Sequence, residues 1–293
     1  MILLTILSLL LVGYAGYKIY QKIQGKKAHA AWVATLEDTA SNNVQILKDT
    51  IEVPYLGEKR TLGIYLPANY SKDTISYPVL YFLDGQSLYS DKILKGKEWQ
   101  VDELLDSLGN VGGAQAIVVG IYSSGSGDRS TEYKPFLSPH LPEEQKVTGA
   151  AHAAWIATGL KAWVDQHYRT LPGAATTVIG GSSLGGLMAY YMLMTFPDVY
   201  GNALVFSPSF WVNEKVFTLD QQVNDLSDKR IYMVAGALEK PIVENAEKMY
   251  KRLLNRGMKK TNLRLDIEPN EGHWHPTWRK GFKNAFPWIL GEE

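Results

Sequence analysis

The chain contains no cysteine among its 293 residues, which excludes disulfide staples, thiolate metal sites and a cysteine nucleophile, and fits a reducing or an oxidising compartment equally. It also lacks net charge. Lys plus Arg and Asp plus Glu number 30 each, so no global field draws it to nucleic acid or to an anionic surface. No H-E-x-x-H motif is present, and His273-x-His275 near Glu271 finds no third ligand at a recognisable spacing, so no metal is expected. Gly125-Ser126-Gly127 lacks the third glycine of a dinucleotide fingerprint, and no P-loop lysine follows any glycine run, so no organic cofactor is expected either. Internal repeats and low-complexity tracts are missing.

Charge is missing locally as well, from residues 1–17, MILLTILSLLLVGYAGY. As a helix this run spans about 25 Å, a little short of a ~30 Å hydrocarbon core, and Tyr17, Lys18 and Tyr20 can extend it through the interface. Residues 1–24 are therefore expected to be a signal anchor that ties the chain to a membrane, with Lys18, Lys22, Lys26 and Lys27 behind it and the sidedness open. The alternative is a signal peptide cleaved after the small-x-small step Gly13-Tyr14-Ala15, giving a periplasmic or secreted protein. Residues 25–43 read as a polar tether, helical in part, and residues 44–293 as one folded domain.

What is there in quantity is apolar residue, 45% of the chain, arranged as alternating strand and helix signals, the pattern of an α/β domain. Residues 44–53 and 60–66 read as a hairpin at a sheet edge. Buried strands follow at 77–83, 116–121 and 176–179, further strands at 201–206, 230–235 and 262–267, and helices at 99–108, 153–168, 242–256 and 278–290, with a broad apolar helix face over 187–193 that stops near Pro197. The expected architecture is a mostly parallel central sheet with an antiparallel N-terminal hairpin and helices on both faces.

Gly181-Ser182-Ser183-Leu184-Gly185 fits G-x-S-x-G, the turn that lifts a serine off the end of a buried strand onto the start of a helix, which makes Ser183 the candidate nucleophile. A serine hydroxyl needs a base, and the base needs a partner that fixes its tautomer. His29 lies in the tether, His140 in a Pro-flanked loop, and His152 and His167 in or beside a helix ahead of the nucleophile. His273 follows the final strand behind Gly272, and is preferred to His275, which Pro276 follows at once. Glu239, just past the strand at 230–235, completes the chain order Ser, Glu, His of α/β-hydrolases, with Asp228, Glu244 and Asp266 in reserve. For the developing oxyanion, the N–H of Leu184 is one expected donor, and the N–H of Gln86, after Asp84-Gly85 at the end of an early strand, is the other. Tyr122, Arg129, Tyr133, Phe210 and Trp211 are candidates to line the pocket, with Arg129, Tyr133 and Trp211 foremost.

After residue 50 nearly the whole chain resembles the Putative esterase family, which includes esterase D (S-formylglutathione hydrolase), enterochelin esterases and the mycolyltransferases of the antigen 85 group. The resemblance rests on RTLGIYLPANY with YPVLYFLDGQ, on EWQVDELLD and AIVVGI, and on Arg129-x-x-Glu132-Tyr133-x-Pro135. It continues through YRTLP ahead of IGGSSLGG, FPDVYGNALVFSPSFW, the glutamate after a strand-end glycine, and GHWHPTW. It implies an α/β-hydrolase fold and a serine esterase that cleaves a small-molecule carboxylic ester through an acyl-enzyme. Ser183 is then nucleophile, His273 base, Glu239 acid, and Leu184 and Gln86 the oxyanion donors. An acyltransferase using the same site, an enterochelin-type siderophore esterase, and an inactive binding module are the alternatives it leaves.

Overall fold

A computed structural model describes residues 2–94, 97–124, 129–139 and 147–292. In chain order the elements are α1 (Ile2–Thr35), β1 (Val44–Val53), β2 (Glu58–Tyr65), β3 (Val79–Leu83), α2 (Asp91–Leu94), α3 (Val101–Asn110), β4 (Ile117–Ile121) and α4 (Arg129–Glu132). Then come α5 (Gly149–Trp155) and α6 (Lys161–His167), fused through a π turn at Ile156–Leu160, followed by β5 (Thr177–Ser182) and α7 (Leu184–Thr195). The chain closes with β6 (Asn202–Phe206), β7 (Arg230–Gly236), α8 (Lys240–Asn255), β8 (Leu263–Glu268) and α9 (His275–Ile289).

The eight strands form one sheet in the order β1-β2-β4-β3-β5-β6-β7-β8. β1, β2 and β4 pair antiparallel, and all pairs from β4 to β8 are parallel. This is the α/β-hydrolase arrangement expected from the sequence, antiparallel hairpin included. The apolar runs are continuous because the sheet is covered twice. Val79, Tyr81 and Leu83 of β3 enter one core with α5, α6, α7 and α8, while Leu80 and Phe82 enter another with α3 and α9. The same alternation splits Ile117 and Val119 from Val118, and Ala203 and Val205 from Leu204 and Phe206. A strand whose odd and even residues both meet helices has no polar face to show.

The strand order also opens a crevice. After β3 the chain moves outward to β4, then returns to the other side of β3 for β5. Connections therefore leave the carboxyl ends of β3 and β5 in opposite directions, opening a crevice between adjacent strands, where open α/β sheets hold their ligands.

The N-terminal helix is longer than the stretch read as an anchor. It runs unbroken past Lys18, Lys22, Lys26 and Lys27 to Thr35, so the uncharged run leads into a charged helix, with Tyr14, Tyr17 and Tyr20 exposed. Among the described residues no helix is long and apolar enough to cross a membrane; the membrane anchor expected at residues 1–24 is thus not supported, and the side chains of its first 13 residues lie outside those described. Residues 25–43 are helical as far as Thr35, and the last of them are tied down rather than free. Thr39 Oγ1 donates to Glu98 Oε1 (3.0 Å), the Ser41 N–H to Asp102 Oδ2 (2.7 Å) and Asn43 Nδ2 to Asp106 Oδ1 (2.7 Å).

That strap has a measurable signature. Burial, then the nearby Glu103 carboxylate, push Glu98 up from the ordinary 4.5 to about 7. Between those values the native chain holds a proton that the unfolded chain has released, so stability falls as pH rises through this window. Asp102, pushed up to about 8 chiefly by burial, acts in the same direction. Glu98→Gln is therefore expected to flatten the fall in Tm between about pH 4.5 and pH 7, leaving the Asp102 part. A wild-type slope in that variant would contradict the assignment.

Candidate active site

Ser183 stands alone between the last residue of β5 and the first of α7, with φ 61° and ψ −120°. A side chain in that region costs on the order of 1–3 kcal/mol and persists only where neighbours enforce it. Here they do. The Ser183 N–H donates to the Phe206 carbonyl at the end of β6 (2.9 Å), and its carbonyl accepts from the N–H groups of Leu187 (3.1 Å) and Ser209 (3.0 Å). The turn is tight enough that a Cβ on Gly181 would lie 2.7 Å from the carbonyl carbon and oxygen of Gly185, which is why the position two before the serine is glycine.

His273 lies in the loop between β8 and α9. Its Nε2 is 2.9 Å from Ser183 Oγ, and its Nδ1 is 2.5 Å from Glu239 Oε1. Glu239 sits just past β7, its second oxygen accepting from the Gly236 N–H (2.6 Å) and the Ser207 hydroxyl (2.7 Å). Ser207 in turn accepts from Trp278 Nε1 (2.9 Å), and the Trp278 ring meets the His273 ring edge-on at 5.2 Å. Burial alone would raise the Glu239 carboxyl, but the hydrogen bonds from His273, Gly236 and Ser207 outweigh it and hold the group below its ordinary value. An ionised Glu239 only accepts, so the Nδ1 facing it carries the proton, and Nε2 is left to accept from the Ser183 hydroxyl.

The other wall of the crevice is the turn after β3. Asp84 is left-handed, φ 61° and ψ 44°, and Gly85 packs against β4 so closely that a Cβ there would fall 2.2 Å from the Gly120 carbonyl carbon. The Gln86 side-chain amide is bonded twice to Ser123, accepting from its N–H (3.1 Å) and donating to its hydroxyl (3.1 Å). Main-chain N–H groups of Gln86 and Leu184 donate to no protein acceptor among the described residues. Between the walls lies an open pocket of about 300 Å³ lined by Asp84, Gln86, Arg129, Ser183, His273 and His275 among others. A larger concavity of about 660 Å³ lies over Phe217 and α8 and contains none of these groups.

The remaining candidates separate by location. Arg129 lines the pocket, whereas Tyr133 is fully buried beneath it, its hydroxyl accepting from the Asp84 N–H (3.0 Å). Trp211 is 52% exposed on a turn beyond β6, away from that lining, and Phe210 beside it is buried against Tyr190. His275 borders the pocket with its ring on Trp278, and burial lowers its pKa. His152 is buried against the Tyr55 hydroxyl, and burial takes it down to about 4, while His167 stacks on Trp163. Asp266 is held by Tyr232 and Arg264, Asp228 faces Lys259, and Glu244 borders the larger concavity. His140, the His29 side chain and the loop residues Gly125, Gly127 and Asp128 lie outside the described residues.

Ser207, Ser209 and Trp278 had no assigned place in the site from sequence. Ser209 Oγ lies 3.4 Å from Ser183 Oγ. Their one signal was position, since Ser207-Pro208-Ser209 ends a buried strand next to the strand that carries Ser183.

The chain matches the family described as Putative esterase over residues 54–289. It is 26% identical over 223 residues to the ferri-bacillibactin esterase BesA of Bacillus subtilis (strain 168), covering 67% of this chain and 73% of that one. Among solved structures, the BES protein of Bacillus cereus superposes with a TM-score of 0.69 at 21% identity, over 86% of this chain and 97% of that one. The enterobactin esterase FES of Shigella flexneri, solved in the presence of enterobactin, gives 0.68 at 19% identity, over 85% and 59%. The structural likenesses show the fold, and the family match takes in both walls of the pocket: the chain belongs to the Putative esterase family and is a carboxylic ester hydrolase.

Proposed function

We propose that this hydrolase works through an acyl-enzyme on Ser183, with His273 as general base and acid and Glu239 as its orienting carboxylate. Ser183 Oγ attacks the ester carbonyl carbon while its proton passes to His273 Nε2, and the carbonyl oxygen takes up charge facing the N–H groups of Leu184 and Gln86. The carbon–oxygen bond to the leaving alcohol then breaks, and His273 returns the proton to that alcohol. Water repeats the sequence, giving its proton to His273 and releasing the acid and Ser183. The observation that carries this reading is the continuous relay from Ser183 Oγ through His273 to Glu239 at 2.9 and 2.5 Å.

A fluorophosphonate is expected to label the chain once, at Ser183, and to block cleavage of short p-nitrophenyl esters. An unlabelled Ser183 in a chain that still cleaves the ester would overturn the assignment. Siderophore esters are the substrate class that the named relatives favour, given the ferri-bacillibactin and enterobactin esterases among them. An ester panel scored by kcat/KM, with catecholamide trilactones beside p-nitrophenyl esters of increasing acyl length, tests that choice. Added acceptor alcohols distinguish hydrolysis from acyl transfer by their products.

A further inference from the structure

The motif Arg129-x-x-Glu132-Tyr133 has no step in the reaction above, yet its side chains meet both walls of the pocket. Arg129 Nε and Nη2 bond the two carboxylate oxygens of Asp84, each at 2.5 Å, and Nη2 also reaches the carbonyl of Ser182 at 3.3 Å. Asp84 opens the turn that carries Gln86, and Ser182 immediately precedes the nucleophile. One guanidinium therefore spans the loops that carry the two proposed oxyanion donors. From below, the Tyr133 hydroxyl takes the Asp84 N–H, and the Tyr133 ring lies 4.8 Å from the Arg129 guanidinium carbon.

This brace is itself anchored. Glu132 forms a buried two-point pair with Arg60 of β2, at 2.9 and 2.5 Å, and accepts from the Ser124 N–H at 3.3 Å. Tyr133 stacks on the buried His152, whose Nδ1 is 2.8 Å from the Tyr55 hydroxyl. A buried ion pair adds little net stability relative to apolar packing, but it admits few alternative arrangements, and a segment held at Arg60, Asp84 and Ser182 has one position.

We propose that Arg129, through its fork on Asp84 and its bond to the Ser182 carbonyl, is a positioning residue that sets the spacing of the Gln86 and Leu184 N–H groups for the tetrahedral oxyanion. Asp84 is the matching element on the other wall. Its left-handed backbone is held by groups at both ends, Tyr133 on its N–H and Arg129 on its carboxylate. The proposal rests on the esterase reading given above and adds to it a reason for the motif. Preorganised donors act only where charge develops, so the brace acts on kcat and leaves ester binding unchanged.

The test is steady-state kinetics on a short p-nitrophenyl ester with Arg129→Gln, Arg129→Lys, Asp84→Asn and the double variant Asp84→Asn/Arg129→Gln, beside Ki for a trifluoromethyl ketone that forms a charged hemiketal on serine. Arg129→Gln and Asp84→Asn are expected to lower kcat about 10- to 100-fold, less than deletion of a whole donor, with KM within about twofold. Ki should weaken in proportion to kcat/KM. The double variant should fall no more than about twofold below the worse single one, because both break the same pair. Lysine keeps the charge without the fork, so Arg129→Lys should recover less than half of the loss on a logarithmic scale.

Unchanged kcat in Arg129→Gln and Asp84→Asn, or a raised KM with kcat retained, overturns the proposal, the latter in favour of direct substrate binding. Should Arg129→Gln not fold, Asp84→Asn, with nearly the same shape, carries the test alone. Failure of the esterase reading is distinguishable, since it appears as a wild-type chain that cleaves no ester and leaves the fluorophosphonate unreacted.

Discussion

Ser183→Ala is expected to lower kcat for a short p-nitrophenyl ester by at least about 10⁴-fold, while moving Tm by no more than about 2 °C. The separation of the two effects follows from what holds the turn. The bonds that pin residue 183 to Phe206, Leu187 and Ser209 are all main chain to main chain, and alanine keeps every one. The cost of φ 61° is nearly the same for either residue, so the substitution neither relieves nor adds backbone strain. Of the hydroxyl's partners, His273 is 40% exposed and can turn to water, and Ser209 is at the long end of hydrogen-bond range, 3.4 Å. Loss of the proposed nucleophile removes the covalent route, leaving whatever the proposed oxyanion donors do for attack by water alone. Full activity in a folded Ser183→Ala chain would end the acyl-enzyme reading, and a large drop in Tm would show that the hydroxyl has a structural partner not apparent in this geometry.

How far the sequence could be read follows from what kind of contact each feature depends on. Tyr77–Leu83 announces a strand covered on both faces, because a continuous apolar run has no other economical place, and Asp84-Gly85 after it marks a strand end at the crevice. The loops of Ser183 and Glu239 are findable for the same reason, since each lies just past such a run, whereas His273 follows the half-buried edge strand β8 and is marked by Gly272 and its place after the last strand. Contacts between those loops are a different matter. That Ser207 takes the Trp278 N–H and gives its own proton to Glu239 depends on positions 71 and 32 residues away, which no local pattern encodes. Tyr133 illustrates the same limit, since an aromatic beside a pocket loop is as compatible with the lining as with the brace beneath it. The N-terminus shows the same limit. Length and hydropathy of residues 1–17 suggest an anchor, but helix propensity carries the chain on through its lysines to Thr35, and the strap at Thr39 to Asn43 is fixed by carboxylates some 60 residues downstream.

Glu239→Gln is expected to lower kcat by about 10³- to 10⁴-fold with little change in KM or Tm, and the reason lies on the far side of the carboxylate from the histidine. Glu239 Oε2 receives two donors, the Gly236 N–H and the Ser207 hydroxyl. The first is fixed by the backbone and cannot turn away. The second already accepts from Trp278 Nε1, which leaves its own proton free to face residue 239. A glutamine must therefore place its carbonyl oxygen there and its NH2 toward His273. Facing a donor, Nδ1 becomes the unprotonated nitrogen, and the ring proton moves to Nε2, where it points at Ser183 Oγ. An imidazole in that tautomer donates to the serine instead of accepting from it, and the first proton transfer has no base. Fluorophosphonate labelling of Ser183 should slow in parallel with kcat/KM, because it needs the same activated hydroxyl. Glu239→Asp, which keeps the charge at the cost of one methylene of reach, should lie between Glu239→Gln and wild type. A kcat for Glu239→Gln within tenfold of wild type would mean that Ser183 and His273 act as a pair, with the tautomer set by something other than Glu239.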